Sequence, residues 1–287
     1  MSSATVKLAS FARTVLLLAA GGVATLATAA HAETGKVAVD LTTLTSPFWT
    51  SYNRYIVAEA KRQGLDLLEP FNSEFDTAKQ ITGVRNAIAL GAKGLIFSPF
   101  ESAAAGTILK TAEKAGVAVV AVDVAPTSGP VAIVVRANNL AYGEKACKYI
   151  GEHVPEGPVV QIMGDQASIN GRDRGNADLK AIYMHAGGVF LAPALQTLRR
   201  KGLLKPAGQP GHIVIVSNDG IPQEYDAIRK GEADATVSQP ADLYAKYGLQ
   251  YLKEAMSGKV FKPGPTDHDS NIVEVAPGVL EDQLAAP

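Results

Sequence analysis

A chain of 287 residues is long enough for one large domain or two modest ones, and 47% of it is apolar. Its 27 basic residues stand against 28 acidic ones. That balance leaves neither a basic footprint for nucleic acid nor the charge excess that keeps a chain disordered.

Residues 1–32 read as a secretion signal. Lys7 and Arg13 give the positive start, Thr14–Ala27 the apolar core, and Ala30-His31-Ala32 a small-x-small site with cleavage expected after Ala32. The core is shorter than the roughly 20 residues a spanning helix needs. The lone cysteine, Cys147, forms no internal disulfide and lies too far along to carry a lipid anchor. It is expected as inert core on an apolar helix face. These features point to the periplasm. The five histidines show no metal spacing, and neither a metal nor another cofactor is expected.

KVAVDL (36–41) reads as the first strand, followed by the loop TTLTSPFW (42–49) and a helix over Phe48–Gly64. DLLEP (66–70) reads as the second strand. Asp76 caps a helix with Ala78, Ile81, Val84 and Ile88 at helical spacing. GLIFS (94–98) is the third strand and Ala103–Ala115 the next helix. Val117–Pro126 then supplies six apolar residues in a row, the acid Asp123, and a terminating proline. Such a run suits a strand buried on both faces of a parallel sheet, and an acid at its carboxyl end lies where open α/β sheets bind ligands.

VAIVV (131–135) is a further strand, and Asn138 or Asn139 caps a helix over Ala141–Val154. VVQIM (159–163), AIYM (181–184), HIVIVS (212–217) and ATVS (235–238) read as a second set of strands, with helices near Val189–Lys201 and Pro222–Lys230. Ala241–Met256 is a long helix, NIVEV (271–275) a last strand, and Gly278–Gln283 a short tail. Strands alternating with helices imply βαβ units and parallel sheets. The interval 164–180 breaks the plan, being polar and glycine-rich with almost nothing to pack a helix on a sheet. It is either a loop with one short helix or the scar of a missing piece.

Taken together, TSPFW (45–49), GAKGLIFSPFES (91–102), VAVVAVD (117–123), NGRDRG (170–175), IVSNDG (215–220) and ATVSQP (235–240) resemble the ribose-type periplasmic sugar-binding proteins, the solute receptors of ABC importers. The resemblance implies an α/β fold of two Rossmann-like lobes with parallel sheets, joined by hinge strands and closing on a sugar. It places the N-terminal lobe at 33–136 plus 240–265 and the C-terminal lobe at 137–239 plus 266–287, shortened near 176–179. The implied crossings are Arg136–Asn138, Gln239–Pro240 and Pro263–Thr266.

The implied ligand set is Ser46, Phe48, Trp49, Ser98 and Asp123 from the first lobe, with Arg172, Asp219 and Gln239 from the second. Acid, guanidinium and amide groups pair with neighbouring hydroxyls, and an aromatic ring covers the apolar face of a sugar. Plainer roles stand beside these: Asp123 and Asp219 as turn formers, Phe48 and Trp49 as core, Arg172 as part of a solvated charge cluster. The sequence departs from the family at Val124, where arginine is usual after the acid, and at HAGG (185–188), where Asn-Asp is common. The family also has tens of further residues after NGRDRG.

The expected partners are a monosaccharide or polyol and a membrane permease, with no nucleic acid, for a monomeric receptor. A chemoreceptor or sensor kinase is the alternative partner, and a truncated, inactive receptor the alternative state. No GxGxxG or GxSxG turn supports an enzyme. A secretion signal occupies the place where a repressor would carry its DNA-binding helices.

Overall fold

Apolar runs become strands and glycine-ended amphipathic runs become helices along most of the chain. The computed structural model describes residues 35–157, 159–163, 181–261, 272–274 and 279–282, all within the unit Thr34–Pro287. The first part comprises β1 (Lys36–Leu41), α1 (Pro47–Gln63), β2 (Phe71–Asn72), α2 (Thr77–Ala89), β3 (Ala92–Phe97), α3 (Ala105–Lys114), β4 (Ala118–Val122) and β5 (Ile133–Arg136). Then follow α4 (Asn139–His153), β6 (Val160–Ile162), β7 (Ile182–Met184), α5 (Gly187–Arg200), β8 (Ile215–Asp219), α6 (Pro222–Arg229) and β9 (Ala235–Ser238). The chain closes with α7 (Ala241–Met256), β10 (Ile272–Glu274) and β11 (Val279–Asp282).

Two sheets result. The first has the order β10-β5-β4-β3-β1-β2 and is parallel throughout. Strand order reverses between β1 and β3, and the crevice at the carboxyl ends beside such a reversal is the ligand site of open α/β sheets. The second has the order β11-β9-β8-β7-β6, parallel except for β11. This is the two-lobed α/β architecture expected from the sequence.

The first sheet is buried on both faces, as its near-continuous apolar strands require. Val37, Val39 and Leu41 pack with α1 and α7, while Ala38, Leu95 and Phe97 pack with α2 and α3. The larger core extends into the second lobe through Tyr183, Val216 and Val237. Among the described residues, no helix is long and apolar enough to cross a membrane.

Local chemistry fixes the ends. Asp76 accepts from Lys79 N at 3.0 Å at the start of α2, and Asn138, rather than Asn139, caps α4 by accepting from Ala141 N at 2.9 Å. Gly64 closes α1 at φ 67°, where a side chain would be strained.

Several expectations are corrected. DLLEP is not a strand: Leu67 makes one bridge to Val37, Pro70 has no N–H to continue it, and pairing resumes at Phe71–Asn72. The second-lobe strand expected at 212–217 lies at Ile215–Asp219, which carries Asp219 into the sheet. The tail at 278–283 contains β11, paired antiparallel with β9 from Val279 opposite Ser238 to Asp282 opposite Ala235. β10 belongs to the first sheet and β11 to the second, so the chain changes sheets between Glu274 and Val279, while the expected crossing at Pro263–Thr266 lies outside the described residues. Cys147 is half-buried rather than core.

Candidate functional site

Two acids mark corresponding places in the two sheets. Asp123 directly follows β4 and Asp219 ends β8, both buried. Their φ angles are 65° and 127°, in backbone territory that residues other than glycine rarely occupy. Each such conformation costs about 1–3 kcal/mol and persists only where its surroundings impose it. Asp123 N is held by Val135 O at 2.9 Å. Asp219 Oδ1 accepts from Gln239 Nε2 at 2.8 Å, and its Oδ2 accepts from Gly188 N at 3.0 Å.

Hydrogen bonds continue from Asp219 into the passages between sheets. Gln239 Oε1 accepts from Tyr244 Oη at 3.2 Å, and that oxygen accepts from Ala137 N at 2.9 Å. Tyr142 Oη donates to Ser238 O at 2.6 Å. The first passage (Ala137) and the second (Gln239) are thus joined through one tyrosine of α7, and both connect to the acid of the second lobe.

From the first lobe comes the loop before α1. Ser46 stands at the N-cap position of that helix without a capping hydrogen bond from its side chain. A Cβ placed on Gly188 would lie 3.1 Å from Ser46 Oγ and 3.4 Å from Asp219 Oδ2. Groups from both lobes therefore meet around one glycine. An open groove begins there, lined by Thr45 and Pro47 from the first lobe and by Gly188 and Leu191 from α5.

Phe48 and Trp49 are only 5% and 7% exposed and belong to the core. They form an edge-on ladder: Phe48 to Trp49 at 5.3 Å, Trp49 to Tyr52 at 5.5 Å, and Phe48 to Tyr244 at 6.2 Å. Ser98 is buried at the end of β3, its carbonyl accepting from Gln80 Nε2 at 2.8 Å. Arg172 lies outside the described residues. Ser46, Asp219 and Gln239 are brought together, Phe48 and Trp49 flank them through Tyr244, and Asp123 and Ser98 sit at the ends of adjacent strands of the first sheet.

Sequence reasoning missed two wholly buried acids. Asp40, near the end of β1, is pushed up to about 7 by burial, against hydrogen bonds from Ser73 and Gln80 that favour its charged form. Glu224, opening α6, is pushed up to about 8 by burial and then by the charge of Asp219, while its Oε2 accepts from Ile221 N at 2.9 Å. The signal for Asp40 was present: an acid near the carboxyl end of an apolar strand, the same pattern that singled out Asp123. Glu224 gave none, since Pro-Gln-Glu reads as an ordinary first helical turn. Arg136, buried at the end of β5, was likewise read only as a crossing residue.

Buried acids, amides and hydroxyls at the strand ends of two facing lobes form an array of directional hydrogen-bonding groups, suited to holding a polyhydroxylated solute. Known proteins carry the same plan. Residues 37–177 match the periplasmic binding protein domain. The chain carries a periplasmic binding protein domain.

Its relatives include the ribose import binding protein of Salmonella typhimurium, 26% identical over 263 residues, covering 80% of this chain and 88% of that protein. The D-allose-binding periplasmic protein of Escherichia coli is 28% identical over 279 residues, covering 82% and 89%. Among solved structures, the arabinose transporter's binding protein from Shewanella, bound to L-arabinofuranose, superposes with a TM-score of 0.74 at 20% identity, covering 88% of this chain and 93% of its own. Family members are binding proteins for transport. The ribose comparison also carries a length difference: 80% of 287 residues is about 230, set against 263 aligned positions, so some thirty positions face no residue here.

Proposed function

We propose that this chain is the periplasmic solute-binding component of an ABC-type sugar importer, taking a monosaccharide or polyol between its lobes. The observation that carries this reading is the meeting of Ser46 from the first lobe with Asp219 from the second around Gly188. A solute held there touches both halves, and only such a solute can favour the closed form over the open one. The names of the relatives, covering ribose, allose and arabinose, supply the substrate class.

In this reading Asp123, Asp219 and Gln239 bind ring hydroxyls, Ser46 and Ser98 add further hydrogen bonds, and Phe48 or Trp49 covers an apolar face. Arg172 joins from the second lobe. The passages at Ala137–Asn138 and Gln239–Pro240 belong to the hinge. The mature chain begins after Ala32, acts as a monomer, catalyses nothing and delivers its sugar to a membrane permease. A shortening of the second lobe would fall beside β6, at the place that β2 occupies next to the first strand of the first sheet.

The test is a thermal-shift screen of the mature protein with pentoses, hexoses and polyols, followed by calorimetric titration of whatever stabilises it. A ligand at one hundred times its Kd raises stability by about 2.7 kcal/mol, enough to move the melt by several degrees. A flat screen across all three classes removes the proposal.

A further inference from the structure

Among the described residues of the first lobe, three side-chain oxygens are sealed from solvent without a hydrogen-bond partner, Tyr52 Oη, Asn53 Oδ1 and Ser98 Oγ, and two of them, Tyr52 Oη and Ser98 Oγ, are hydroxyls. Tyr52 is wholly buried and Ser98 1% exposed. Unpaired buried hydroxyls are rare and unfavourable in folded proteins, so each calls for a cause. Packing alone would place phenylalanine at 52 and alanine at 98.

The two belong to one side of the sheet. Val39 stands opposite Ile96, and Ile96 packs in the core that α1 shares. Two residues beyond Ile96, Ser98 projects toward that same face. Tyr52 lies on α1, whose side chains lean toward the helix's amino end and so toward the carboxyl ends of the strands. Trp49 covers it edge-on at 5.5 Å. Burial first, then the negative charges of Asp123 and Asp40, hold the phenol well above its usual pKa, which places those acids in reach of its electrostatics.

We propose that Tyr52 Oη and Ser98 Oγ, with Asp123, form a subsite for one hydroxyl group of the bound sugar or polyol, making Tyr52 a specificity-determining residue. A hydroxyl both donates and accepts. It would donate to the Asp123 carboxylate and accept from the phenol or the serine, so the three protein groups match the capacity of one ligand oxygen. An analogue lacking that hydroxyl would leave both protein oxygens as unpaired as they are now. The inference rests on the sugar-receptor reading above.

The experiment uses the mature protein and a panel of D-ribose, D-allose, L-arabinose and myo-inositol. The panel member that binds most tightly is titrated into wild type, Tyr52→Phe and Ser98→Ala, and then replaced by its singly deoxygenated analogues. Tyr52→Phe is expected to weaken binding about tenfold without lowering the melting temperature of the ligand-free protein. The loss should vanish with the one analogue missing the recognised hydroxyl. If Tyr52→Phe melts early, Ser98→Ala must show the same analogue-specific pattern. Equal affinity of wild type and both variants, or a loss identical for every analogue, overturns the subsite while leaving the receptor reading in place. Failure of every panel member to bind wild type overturns both.

Discussion

Gln239 Nε2 lies 2.8 Å from Asp219 Oδ1, and this bond ties the second passage between the sheets to the end of β8. The same amide accepts from Tyr244 Oη on its other side. Removing it in Gln239→Ala takes one hydrogen bond from the acid and one from the tyrosine. We expect sugar affinity to fall at least about tenfold and folding stability by about 1 kcal/mol, read by calorimetric titration and urea unfolding. Gln239→Glu should be worse on both counts, since it sets a second carboxylate against Asp219. A glutamate variant that binds as wild type would separate Gln239 from the site.

Asp123 has a backbone conformation that its side chain makes costly, at φ 65°. Glycine accepts that conformation freely and alanine does not. Asp123→Gly and Asp123→Ala should therefore lose ligand binding alike, yet differ in stability by about 1 kcal/mol in favour of glycine. Denaturant midpoints of the two variants, with titration of each, check both halves. Equal midpoints would mean that the strain is absent in solution.

The strands and helices of the first lobe were legible because each βα unit carries its own punctuation: Gly64 ends one helix and Asp76 begins another. Asp123 stood out as an acid closing an apolar run, whereas Asp219, after Ser217 and Asn218, was reached only through the resemblance that IVSNDG carries. Phe48 and Trp49 were readable as ligand groups or as core, and their ladder with Tyr52 and Tyr244 is a packing that the local sequence does not encode. β11 was hidden because four residues with two acids give no alternation, and its pairing with β9 is a long-range event that no local pattern encodes. Glu224 was hidden because burial of an acid depends on what lies across from it, here Gly187.

Glu224 should make stability depend on pH in a direction opposite to that of ordinary carboxylates. Its usual value is 4.5 and its folded value about 8. Below 4.5 both folded and unfolded chains hold the proton; between the two values only the folded chain does. Raising pH across that interval therefore takes stability away, and above it the loss is complete. Glutamine stays neutral and can still accept from Ile221 N. Glu224→Gln should match wild type near pH 4 and exceed it by more than about 1 kcal/mol near pH 9, as urea unfolding at a series of pH values would record. A constant difference across the range would place the carboxyl's titration elsewhere.

Two adjacent glycines at the start of α5 should answer differently to the same substitution. A Cβ on Gly187 would fall 1.7 Å from Glu224 Oε1 and 2.8 Å from the carbonyl oxygen of Asn218. The backbone cannot retreat, and a buried acid held by Ile221 N has little room to turn. Gly187→Ala should therefore destabilise the fold by about 1–3 kcal/mol. At Gly188 the nearest atoms are Ser46 Oγ at 3.1 Å and Asp219 Oδ2 at 3.4 Å, one from each lobe. An added methyl there strains the meeting of the lobes more than the packing within either. Gly188→Ala should keep near-normal stability and lose sugar affinity, whereas Gly187→Ala loses stability first. Urea midpoints set beside titrations for the pair decide it: if Gly188→Ala closes on ligand as wild type does, the solute is gripped somewhere other than between Ser46 and Asp219.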